Sequence, residues 1–304
     1  MSSITVNRIS YAGWPDCYQI TDGTVDAVVT SLVGPRIIRC GFCGENNFFA
    51  EISDQVGLSG GTNWRIYGGH RLWHSPEELA RTYNPDNGPI EVTVLNNGIH
   101  VKQPVESNSG IIKEMHITLE SSNHSFRVAH NLTNTGVWPV NLAPWAISVM
   151  RTGGIGFIPQ YREKAGEGLL HNRLLALWPY TDMNDSRVTW GARYILLRQD
   201  PQKTNAFKIG LSVPEGWGAY VYEGQLFLKQ FFYNIKGTYP DGGVNVELYT
   251  NNRFLELESL GPLTTLAPGK NIEYVESWRL FKDIGPVNNE TEAEQAISKC
   301  LPGK

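Results

Sequence analysis

Basic character is scarce in this chain. Its 304 residues carry 26 lysines and arginines against 30 acids, a formal net charge of −4, and no basic run exceeds two residues. The electrostatic footprint that nucleic-acid binding requires is missing. Long apolar stretches are missing too, since nothing approaches the roughly 20 residues of a membrane-spanning helix. The opening residues, MSSITVNRISYAGW, have neither a basic start nor an apolar segment, so a soluble, cytoplasmic protein without nucleic-acid or membrane partners is expected. Cysteine is rare, at positions 17, 40, 43 and 300. The CGFC pair lacks the strand-to-helix setting of a redox motif and the second pair of a zinc site, which leaves reduced thiols on a strand. No linker rich in Gly, Pro or Ser divides the chain and no short repeat recurs, so residues 1–304 read as one domain.

Helical periodicity is almost absent before the last residues, whereas alternation of apolar and polar residues is frequent. Met115, Ile117 and Leu119 alternate with polar neighbours, as do Phe126, Val128 and Leu132, and the same period returns in VNVELYT and FLELESL. EVTVL and IHVKQPV flank Asn96-Asn97-Gly98, a hairpin signal because asparagine and glycine tolerate positive φ. Only ETEAEQAISKCL reads as a helix, with Ala293, Ala296, Ile297, Cys300 and Leu301 on one side and Pro302-Gly303 as its stop. The expected fold is all-β: a large antiparallel sandwich of two sheets with a short C-terminal helix packed outside.

Two stretches carry the chemistry. In NNRFLELESLGPL, alternation puts Leu255 and Leu257 on one face and Phe254, Glu256 and Glu258 on the other. If the leucines face the core, the glutamates face a cleft or solvent. YGGHRLWHSPE, Tyr67 to Glu77, brings His70, Arg71, Trp73 and His74 together behind paired glycines. The i, i+4 histidines would share one face of a helix, but Arg71 stands where a zincin needs its glutamate and would repel a cation. Neither metal nor cofactor is expected there. Taken singly, the residues suit a polar ligand. Imidazole exchanges protons near neutrality, the arginine fork grips oxygens, and tryptophan stacks on the apolar face of a sugar. His130 shares a face with Phe126, Val128 and Leu132 and reads as a core histidine.

The order of these stretches along the chain resembles the galactose mutarotase-like superfamily, which contains the aldose 1-epimerases. NVELYTNNRFLELESLGPLTTLAPGKNIEY resembles its carboxy-terminal part, VNLAPW (140–145) its strand with a Val-Asn-Leu run, and YGGHRLWHSPE its glycine-histidine segment. The resemblance is closer still to an uncharacterised bacterial branch. It implies a large β-sandwich whose concave sheet holds a monosaccharide. It also implies a glutamate that takes the proton of the anomeric hydroxyl and a histidine that protonates the ring oxygen. Glu258 matches the glutamate. Where the mutarotases carry the proton-donating histidine, this chain has Trp145.

The first expectation is therefore a sugar epimerase with Glu258 as base and His74 or His70 as acid. Arg71 and Glu256 would bind substrate oxygens, and Trp73 and Trp145 would form a stacking wall. A non-catalytic sugar-binding or sensing protein is the alternative that Trp145 favours. Glycoside hydrolysis or lyase chemistry ranks last, because Glu256 and Glu258 share one strand face and do not flank a bond from opposite sides. The identity of the sugar, its charge and the oligomeric state stay open.

Overall fold

The structure, a computed structural model, describes residues 3–161 and 169–301. In the first sheet, β1 (Thr5–Tyr11), β2 (Trp14–Thr21), β3 (Val25–Thr30), β4 (Arg36–Phe42), β5 (Gly69–Ser75), β10 (Val140–Met150), β19 (Leu255–Leu260), β18 (Val246–Thr250), β15 (Phe207–Leu211) and β12 (Leu175–Leu177) lie side by side in that order. The short β20 (Thr264–Leu266) adds to β10. The second sheet runs β13 (Val188–Trp190), β14 (Tyr194–Arg198), β11 (Ile155–Pro159), β16 (Trp217–Tyr222), β17 (Gln225–Phe231), β21 (Asn271–Phe281), β9 (Ser125–Asn134), β8 (Ile111–Glu120), β7 (Gly98–Lys102) and β6 (Glu91–Leu95). The strand pairings are antiparallel. Two helices accompany them among the described residues, α1 (Leu79–Thr82) and α2 (Glu290–Cys300). Neither is long and apolar enough to cross a membrane.

The sandwich follows from period-2 patterning. Leu72, Ala146, Met150, Leu248, Leu255 and Leu257 of the first sheet meet Met115, Ile117, Leu119, Phe126, Val128, Leu132 and Trp278 of the second in one apolar core. Every other residue of a strand points in, and burial of each aliphatic side chain contributes roughly 1.5–3 kcal/mol. On the far side of the second sheet, α2 lays Ala293, Ala296, Ile297 and Cys300 against Ile155, Phe157, Leu196, Trp217 and Ala219. Asn289 caps that helix by accepting from the Glu292 amide at 3.0 Å. The stop expected at Pro302-Gly303 lies outside the described residues.

Paired glycines set the position of β5 in the first sheet. Gly68 and Gly69 have φ of 102° and 73°, and a Cβ on them would lie 1.9 Å from the Ala50 carbonyl oxygen and 2.5 Å from that of Ile37. Only glycine lets β5 slot between β4 and β10 here. The hairpin at Asn96-Asn97 is present, with Leu95 paired to Gly98, but Gly98 serves it in another way than expected. Its φ is outside the left-handed region, and a Cβ there would sit 1.9 Å from the Ile117 carbonyl oxygen. The missing side chain lets β8 approach.

Candidate functional site

The face of the first sheet turned away from the core collects the polar chemistry. β5 occupies the middle of that sheet, and Ile147 on β10 stands opposite both Arg71 and Glu258. Glu258 in turn faces Glu247 on β18, and Lys208 on β15 faces Tyr249, two residues from Glu247. Because Leu255 and Leu257 enter the core, Glu256 and Glu258 point the other way. Arg71, Glu256, Glu258, Glu247 and Lys208 thus form a band across β5, β19, β18 and β15.

At the β5 end, the Arg71 Nη2 donates to Glu256 Oε1 at 3.1 Å. Its guanidinium lies 4.4 Å from the Trp73 ring centre and 5.7 Å from that of Trp64. Trp73 makes edge or tilted contacts with Trp64, Tyr83 and Trp145 at centroid distances of 5.5, 5.0 and 5.4 Å. At the other end, the Lys208 Nζ sits 2.7 Å from Glu247 Oε2 and 3.2 Å from Glu258 Oε2. It also lies 4.8 Å from the Trp145 ring and 4.6 Å from Trp178. Trp145 Nε1 donates to Glu258 Oε2 at 2.7 Å. Trp64 and Tyr83 at one end and Trp178 and Tyr249 at the other remain partly exposed around these buried groups.

Electrostatics separates the three acids. Glu247 is fully buried, and burial holds its carboxyl well above the usual range, with Lys208 opposing and Glu258 reinforcing. Burial alone would raise Glu258 too. There the charge of Lys208 and hydrogen bonds from Trp145 and Lys208 prevail and keep it below the usual range. Burial raises Glu256, and Arg71 partly offsets this. For Lys208, burial favours the neutral amine, but Glu247 and Glu258 win and hold it as ammonium. Among the described residues, Arg71 Nε and Nη1, Glu258 Oε1 and both carboxyl oxygens of Glu247 make no hydrogen bond, although Glu247 Oε2 is ion-paired with Lys208.

The histidines are elsewhere. His70, Leu72 and His74 alternate with Arg71 and Trp73, so they point between the sheets. His70 is fully buried beside Trp278 at 4.7 Å between ring centres. Its Nε2 meets His130 Nε2 at 2.7 Å, its Nδ1 meets Ser148 Oγ at 2.9 Å, and His130 Nδ1 donates to the Tyr274 carbonyl at 3.0 Å. These contacts fix the tautomers: His130 accepts at Nε2, so His70 donates there and accepts from Ser148. His74 lies 3.7 Å from Glu106, whose partner is Lys113 of β8. Burial lowers the pKa of both His70 and His74. Strand alternation thus corrects the expectation that either shares a pocket with Glu258, and with it their assignment as its acid partner. It keeps Arg71, Trp73, Trp145, Glu256 and Glu258 together. A second correction concerns Glu258 itself, which is covered rather than open to a cleft.

His70, His130 and Glu276 bring three potential ligand atoms within 4.8 Å of one another. Their valences are already used: the imidazoles hold each other, Ser148 and Tyr274, while Glu276 accepts from Ser259, Trp278 and Lys229 at 2.5, 2.8 and 3.0 Å. A lysine ammonium on the carboxylate does the work that a cation would do. Sequence reasoning missed Lys208 and Glu247. FKIGL and VNVELYT announce strands with a charged outward residue, but nothing local tells that the two strands are neighbours.

No protein-family model matches the sequence, and no curated protein matches it. Solved structures do match its fold. A Klebsiella pneumoniae protein described as a candidate aldose 1-epimerase superposes with a TM-score of 0.59 at 13% identity, over 97% of this chain and 86% of that one. A galactose mutarotase-like protein from Lactobacillus casei gives 0.57 at 8% identity, over 87% of this chain and 100% of its own. A galactose mutarotase related enzyme from Lactobacillus acidophilus gives 0.51 at 11%, over 90% and 100%. The chain has the galactose mutarotase-like fold, an all-β sandwich of two antiparallel sheets.

Proposed function

We propose that the band between Arg71 and Lys208 binds a monosaccharide and that the protein interconverts its anomers, with Glu258 as the general base. The observation that carries this is the set of open hydrogen-bonding positions on one sheet face, at Arg71, Glu258 and Glu247, with aromatic rings at both ends. A buried donor or acceptor left unsatisfied costs about 1–3 kcal/mol. Sugar hydroxyls supply both donors and acceptors, and the C–H face of the ring suits Trp64, Trp73 or Trp178. Arg71 and Glu256 would hold hydroxyl groups. Trp145 supports the base by holding one oxygen of Glu258 and leaving Oε1 to take a proton. Such catalysis asks little of the protein, since a positioned base contributes about 10²- to 10⁴-fold.

Trp145 also favours a second reading, a protein that binds a sugar without reacting it, because its indole stands where the resemblance places the acid. The two readings separate in one experiment. Anomer exchange is followed by NMR for neutral, acidic and phosphorylated sugars, with binding measured in parallel by calorimetry. Exchange above the buffer rate supports the epimerase. Binding without acceleration supports the sensor, and neither binding nor exchange removes both.

A further inference from the structure

We infer that Glu247 is the general acid of this site, carrying the proton that the missing histidine would have supplied. The inference rests on the epimerase reading and deepens it. Glu247 and Glu258 are directly opposite on adjacent strands, both are fully buried, and Lys208 Nζ bridges them at 2.7 and 3.2 Å. Arg71 is engaged by Glu256, so one ammonium serves two carboxyl groups. With both ionised, the cluster would bury an uncompensated negative charge; one shared proton makes it neutral. Opposite each other on adjacent strands, the two carboxyl groups also repel when both are charged, which favours a proton on one of them.

The environments decide where that proton rests. Glu258 takes the Trp145 N–H and a share of Lys208, both of which favour carboxylate. Glu247 has Lys208 and a repelling Glu258, and the charge of Asp241 adds to that repulsion. Burial then keeps the proton on Glu247. Lys208 is the poorer acid, because two carboxyl groups hold its ammonium well above its ordinary range.

The chemistry closes on this pair. O1 and O5 of a pyranose are bonded to the same carbon, so two carboxyl groups opposite each other and bridged by one ammonium can address both. Glu258 takes the O1–H proton as the C1–O5 bond breaks and C1=O forms, and O5 takes the proton of Glu247. The open-chain aldehyde turns about C1–C2. The two transfers then run backwards: Glu247 takes the O5 proton while Glu258 returns one to O1. The pair holds one proton before and after each turnover.

Two measurements test this on the intact protein. Infrared difference spectra of wild type against Glu247→Gln should show the C=O stretch of a neutral carboxylic acid at neutral pH, lost in the variant. Exchange kinetics should show Glu247→Gln lowering kcat about 10²-fold with KM within about twofold. The variant should also lose the alkaline limb of the wild-type pH profile. Absence of the carboxylic band in wild type overturns the inference, whatever the activity. So does a Glu247→Gln enzyme with the wild-type rate and pH profile. A wild type that shows the band yet accelerates no sugar brings down the epimerase reading and the use of this proton with it, a failure distinct from the other two.

Discussion

Trp145 and Glu258 meet through one hydrogen bond, indole Nε1 to carboxylate Oε2 at 2.7 Å, across adjacent strands of the first sheet. The indole N–H stabilises the ionised form of Glu258, the proposed base. Trp145→Phe keeps a ring against Trp73 and removes that N–H. Its folded-state Glu258 should titrate higher, so the acid limb of the exchange profile should move to higher pH by about one unit, the scale of one hydrogen bond to a charged group. A pH–rate profile of the variant checks this, and an unmoved limb counts against Glu258 as the titrating base.

Arg71 and Glu256 form a buried ion pair at 3.1 Å, with 4% and 11% of their side chains exposed. Breaking such a pair from one side leaves a buried charge and costs about 3–5 kcal/mol, whereas replacing both members is far milder. Arg71→Met should therefore lower stability strongly in urea unfolding, and Arg71→Met/Glu256→Leu should recover most of it. Sugar affinity should fall in both. A double variant that is stable and still binds with wild-type affinity would detach the pair from substrate.

Glu106 predicts an acid transition. Burial alone would raise its carboxyl, but the charge of Lys113, the His74 ring and hydrogen bonds from Lys113 and Ser109 bring it down to about 2 from an unfolded value of 4.5. A depressed carboxyl contributes stability that is fully present above the unfolded pKa and is lost as pH falls from about 4.5 through about 2. The shift corresponds to about 3 kcal/mol. Urea unfolding of Glu106→Gln should show lower stability than wild type by that order at pH 7 and should converge on it near pH 2. Parallel stability curves across that window would contradict the assignment.

His70 should matter for stability and not for exchange. His70→Ala removes a packed ring together with the partners of Ser148 and His130, and should cost about 2–4 kcal/mol. Exchange per folded molecule should stay within about threefold of wild type, because the ring faces the core. A loss of a hundredfold in a fully folded variant would return a histidine to the mechanism. His74→Ala should behave alike.

The alternation in FLELESL is enough to place Glu256 and Glu258 away from the core, since a strand has only two faces and the leucines claim one. The run from His70 to His74 is harder. Its i, i+4 histidines invite a helical reading, yet in a strand that spacing puts both on the face opposite Arg71, and the same period that gathers Arg71 and Trp73 removes the histidines. His130 is readable as core from its neighbours. Glu247 and Lys208 are not readable as site residues, because their roles depend on β15, β18 and β19 being consecutive in the sheet, a matter of long-range register that no local pattern encodes. The burial of Glu258 depends equally on residues remote in sequence, with Lys208 and, behind it, Trp178 covering it.

In the proposed reaction Glu258 takes the anomeric proton of a bound sugar, and anomer exchange by saturation-transfer NMR in wild type and Glu258→Gln probes that step itself. The measurement uses whichever sugar of the panel binds, with affinity determined on the same samples. Wild type should exchange above the buffer rate, and the variant should lose at least about 10² of that rate with affinity changed by no more than a few fold. Equal exchange rates in the two proteins at equal sugar occupancy would contradict the assignment of Glu258 as the base.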